Sequence, residues 1–179
     1  MIPARALFGI SVVVSFVVWG IIAAMYVWPA LRGLPRARAL RPLLLLHSFR
    51  FVGLAFLVSG VVSPDLPADF ARPAAYGDLV TAALALLALA TLQSKLGIIL
   101  TWAFNVCGSA DLVFAFYQGD ASGLGDAPGL MGAAYFIPTV FVPLLLVTHA
   151  LVFRLLVKGD AATAALDGRA AVQRANPRS

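Results

Sequence analysis

Five apolar runs, at residues 6–28, 42–62, 74–92, 96–117 and 130–157, occupy most of this chain of 179 residues and leave little room for any other plan. Four of them reach the roughly 20 residues that an α-helix needs to cross about 30 Å of hydrocarbon. The third is slightly shorter and carries Asp78 near one end. A backbone surrounded by lipid must satisfy its own hydrogen bonds, so each run is expected to be a helix. None shows the alternation of a barrel strand. The expected fold is an all-α, polytopic bundle of five transmembrane helices over residues 1–158, followed by a short cytoplasmic tail over 159–179.

Composition agrees. Apolar residues make up 61% of the chain, charged residues only 12%, and glutamate is absent. An ordinary soluble domain carries about twice that charge. A soluble enzyme, a disordered tail and a coiled coil are thereby excluded.

The charges that remain set an orientation. Arg32, Arg36, Arg38, Arg41, Lys95, Lys158, Arg169, Arg174 and Arg178 fall on one side of the five-span arrangement, against Arg5 and Arg72 on the other. Basic loops stay in the cytoplasm, which predicts an outward amino terminus and an inward carboxyl terminus in a bacterial-type inner membrane. The first run is too long for the core of a cleaved signal peptide and is read as a retained helix. A sequence pI near 10 then reflects contact with anionic membrane lipids, not with nucleic acid. A single cysteine, Cys107, excludes an intrachain disulfide and a CxxC metal or redox site.

Function must be sought in the polar atoms that the spans carry into hydrocarbon, because ionisable groups there cost roughly 2.5–3.5 kcal/mol and tend to mark sites. Counted at about 1.5 Å per residue from the inner ends of those runs, His47 lies about 8 Å deep, Arg50 and His149 about 12 Å and Asn105 about 14 Å. These four residues come from three spans and share a layer. His47 and Arg50, three residues apart, also share a helix face. Such a cluster suits a charged headgroup, a carboxylate, a metal or a haem; Arg50 can equally snorkel to lipid phosphates, and the other residues can simply bond neighbouring helices.

Asp111 is expected in a separate outer layer with Thr139, where Pro138 and Pro143 break the fifth span and free backbone carbonyls near it. There it would serve as a proton-accepting or cation-binding carboxylate. The candidate binding residues are therefore His47, Arg50, Asn105, Asp111, Thr139 and His149.

The first functional expectation is binding or transport of a small molecule, lipid or ion, without catalysis. Five short spans enclose little volume, so a homo-oligomer or a larger membrane complex is the expected working form. Two alternatives stay open: a redox subunit whose b-type haem is held by His47 and His149, and a membrane enzyme acting on a lipid or isoprenoid with Asp111 as general acid. No phosphate-binding glycine loop, HExxH or GxSxG motif is present.

Overall fold

The computed structural model describes residues 2–175, with side chains as far as Lys158. Among the described residues it is all-helical, without a β-strand. Five helices are long and apolar enough to cross a membrane: α1 (Ala4–Leu31), α2 (Arg36–Leu57), α3 (Ala68–Thr91), α4 (Lys95–Ala121) and α5 (Ile137–Lys158). The helical backbone of α5 runs on through the tail to Ala175. The last four residues of that tail lie outside the described ones.

The helices differ from the apolar runs at their ends, for local reasons. α2 starts six residues early because Arg36, Arg38 and Arg41 interrupt the apolar run without breaking the helix, with Pro42 tolerated inside. It stops at Leu57, since Val58 turns to extended backbone and Gly60 takes a positive φ of 84°. α3 begins at Ala68 directly after Pro67, which places Asp78 near mid-helix. Residues 130–136 lie outside α5. A separate 3-10 segment, Pro128–Tyr135, is tied to the loop before α3 by Ser63 N–H donating to Leu130 O at 2.9 Å and Ala133 N–H to Val61 O at 3.1 Å.

Three helices depart from α geometry. In α1 the π-helical turn Ala23–Val27 precedes Pro29, and in α5 the π-helical turn Ile137–Phe141 contains Pro138 and precedes Pro143. Missing proline N–H groups account for such widenings. The Trp19 indole N–H donates to Val140 O within the second of them at 3.2 Å. In α2 the helix tightens to 3-10 over Ser48–Leu57. Residues three apart eclipse in a 3-10 helix, which explains why its buried residues are Arg50, Gly53 and Phe56.

α2, α3, α4 and α5 enclose the core. One apolar cluster, built around Leu40, Leu44, Ala85, Phe104 and Leu156, fills the end with the basic loops; a second, around Phe70, Ala75, Leu112 and Met131, fills the other. α1 is peripheral. No residue in its first segment, Ala4–Ile22, is buried. At the basic end the exposed Arg154 lays its guanidinium on the buried Trp28 ring, 3.8 Å from its centroid.

Candidate functional site

Between the two apolar clusters lies a layer of charge. Arg50, whose side chain is fully buried, projects from the 3-10 column of α2 into the gap between α3, α4 and α5. Its Nε donates to Asp78 Oδ1 at 2.7 Å, and its Nη2 reaches the same oxygen at 2.6 Å and Asp111 Oδ2 at 2.6 Å. Nη1 donates to Gly108 O at 3.1 Å and meets His149 Nε2 at 3.3 Å. One guanidinium thus joins four helices and uses its whole fork of donors.

The bonds fix the tautomer of His149. A guanidinium can only donate, so His149 Nε2 accepts and the proton sits on Nδ1, which donates to Asn105 Oδ1 at 2.7 Å. Asn105 Nδ2 then donates to the His149 carbonyl at 3.3 Å. Replacing Asn105 with leucine removes both bonds and leaves a buried imidazole N–H without an acceptor. We expect Asn105→Leu to lower the unfolding free energy by about 1–3 kcal/mol, read from denaturant titration of the purified chain in detergent micelles.

His47 packs beside this layer. Its ring centroid is 4.1 Å from that of His149, its Nε2 is 3.0 Å from Thr148 Oγ1, and its buried Nδ1 has no hydrogen-bond partner. A haem b held between these two histidines does not fit. Axial ligation needs the imidazoles on opposite faces of a porphyrin, each aiming a free nitrogen at the iron; here the rings touch and both His149 nitrogens are engaged. Among the described residues no three His, Cys or acidic side chains group to hold a metal ion.

Four of the six sequence candidates, His47, Arg50, Asn105 and His149, do come together. Asp111 joins them directly and does not form a separate outer layer. The apolar run assigned to the second span began at Pro42, so depths counted from there were too small. Measured from the start of each helix, at about 1.5 Å per α and 2.0 Å per 3-10 residue, Arg50 lies about 22 Å along α2 and Asp111 about 24 Å along α4. Thr139 is buried but makes no hydrogen bond to the network; its hydroxyl donates to Tyr135 O of its own chain segment at 2.7 Å.

Asp78 was missed altogether. In a run starting at residue 74 it looked terminal, whereas in Ala68–Thr91 it is central and 6% exposed. Pro67, which caps that helix, was the available signal.

Glycines make the room. A Cβ on Gly53 of α2 would collide with the Asp78 carboxylate of α3, and one on Gly77 of α3 with the Asp111 carboxylate of α4. On Gly108 of α4 it would lie within 2.9 Å of Thr81, His149 and Arg50. Each charged side chain therefore rests where a neighbouring helix has no side chain.

Two cavities lie toward the end away from the basic loops, the smaller of them against the charged layer. The smaller, about 30 Å³, is lined by Asp78, Asp111 and apolar side chains including Phe56, Phe70 and Phe116. The larger, about 360 Å³, lies between α1 and the carboxyl-terminal part of α4. Phe70, Ala115, Phe116 and Pro138 line both.

These features define a class: an all-helical protein with five helices of membrane-spanning length and apolarity around a buried, fully bonded arginine. The chain belongs to the family described as Domain of unknown function (DUF8737), which matches residues 7–157 and so takes in every member of the charged layer. No curated protein and no solved structure matches it.

Proposed function

We propose that this protein is a multi-pass protein of a bacterial-type inner membrane, amino terminus outward and carboxyl terminus inward, that binds and moves a small cation or proton at the Asp78–Arg50–Asp111 cluster. The basic bias of one set of loops supports the orientation. One observation carries the functional reading. Arg50 supplies a single positive charge to two aspartates, and the second oxygen of each receives no hydrogen bond among the described residues, while both aspartates line the cavity of about 30 Å³. That space holds about two waters or one small ion. Uncompensated negative charge at this depth is costly, and a bound cation or proton offsets it.

Asp111 is the receiving group. Its side chain is 19% exposed, against 9% for Asp78 and 0% for Arg50. Arg50 holds both carboxylates apart and in place, and the His149–Asn105 pair fixes the far side of the guanidinium.

Binding of radiolabelled sodium, and proton uptake on acidification, measured on the full chain in liposomes, test this. We expect about one cation or one proton per chain, lost in Asp111→Asn and in Asp78→Asn variants that remain folded. Wild-type protein that takes up neither, or asparagine variants that behave as wild type, would overturn it.

A further inference from the structure

We propose that the groove between α1 and α4 admits an organic cation, an amine or quaternary ammonium on an apolar body, and delivers its charged nitrogen toward Asp111. This rests on the reading of the Arg50 cluster as a cation site and names the class of ligand that uses it.

The volume of the groove, about 360 Å³, is that of a small-molecule pocket, about twelve times the space beside the cluster. Its walls are apolar and aromatic: Phe8 and Val12 from α1, Met131, and the Phe70–Phe116 pair that separates it from the inner cavity. Aromatic faces attract a cationic nitrogen as well as the carbon around it. Charge is complementary at both ends. At the mouth Arg5 is shared by Asp120 at 2.7 Å and Asp126 at 3.1 Å, and at the inner end Arg50 is shared by Asp78 and Asp111. Each end has one positive side chain against two negative ones. An anion would be repelled twice on this route, and a neutral molecule would gain nothing from either end. α1 buries no residue over Ala4–Ile22, so this wall can yield to an entering ligand without opening the core.

Gly9 offers a clean probe. It lines the groove, and a Cβ there meets nothing within 4 Å, so Gly9→Leu fills the space without touching the cluster. The experiment compares benzyltrimethylammonium with its uncharged carbon isostere, neopentylbenzene, binding to the full chain in lipid nanodiscs, with empty nanodiscs as reference. We expect the cation to bind and the isostere to bind about tenfold more weakly or worse. Gly9→Leu should weaken the cation by about tenfold or more while leaving sodium or proton uptake intact; Asp111→Asn should lose both.

Equal binding of the isostere would overturn the proposal and make the groove a seat for a lipid chain. Unchanged cation binding in Gly9→Leu would also overturn it, with the cluster reading left standing. Loss of the cluster reading itself shows differently, as absent sodium and proton uptake in the wild type.

Discussion

Arg50→Met is expected to destabilise the protein more than any other single substitution, by about 3–5 kcal/mol. The side chain that leaves is the shared partner of Asp78 and Asp111 and a donor to Gly108 O and His149 Nε2. What stays behind is a buried carboxylate, Asp78, beside a half-buried one, Asp111, without their shared cation. Replacing a whole buried ionic group with neutral side chains is often harmless, whereas removing one member is not. The triple variant Arg50→Met, Asp78→Asn, Asp111→Asn is therefore expected to regain most of the lost stability and to bind no cation. Unfolding by denaturant titration in detergent, paired with the sodium and proton assays, separates the two effects. An Arg50→Met protein as stable as the wild type would mean that the guanidinium does not hold the helices together.

The second large effect comes from a single methyl group. Gly77→Ala places a Cβ on the Asp111 carboxylate, which must then leave its position against Arg50 or push α3 and α4 apart. Overpacking of this kind costs about 1–3 kcal/mol, and cation binding is expected to fall with it. The same change at Gly20 of α1, where a Cβ meets nothing within 4 Å, is expected to stabilise by up to about 1 kcal/mol through helix propensity alone. Parallel thermal unfolding of the two variants checks the opposite signs.

Hydropathy made the five helices legible, because lipid imposes one demand on the whole length of a span. It was poor at helix ends. The arginines of 36–41 lower the mean hydropathy without breaking the helix, and Pro67 starts α3 earlier than its apolar run does. Those errors of about one and a half turns moved Asp111 into the wrong layer and made Asp78 look peripheral.

Depth explains only part of the meeting of His47, Arg50, Asn105 and His149, because both residues of α2 lie further along their helix than a run starting at Pro42 gives, Arg50 by about 10 Å. Which side each residue faces was harder to read. The 3-10 stretch of α2 turns Arg50, Gly53 and Phe56 into one column, and nothing in SFRFVGLAFL announces that change of period. The pairing of Gly53, Gly77 and Gly108 with charges on other helices was not legible at all, because small residues in a span look the same whether they admit a backbone or a carboxylate.

The sharing of Arg50 among α3, α4 and α5 also governs the order in which the chain can assemble. α3 and α4, joined by a three-residue turn, can come together as a hairpin by themselves. That hairpin presents Asp78 and Asp111 with no cation of its own beside them. α2 emerges from the ribosome earlier, but the carboxylates that accept from its arginine arrive only with that hairpin. The middle of the bundle thus closes only when later segments return to an earlier one.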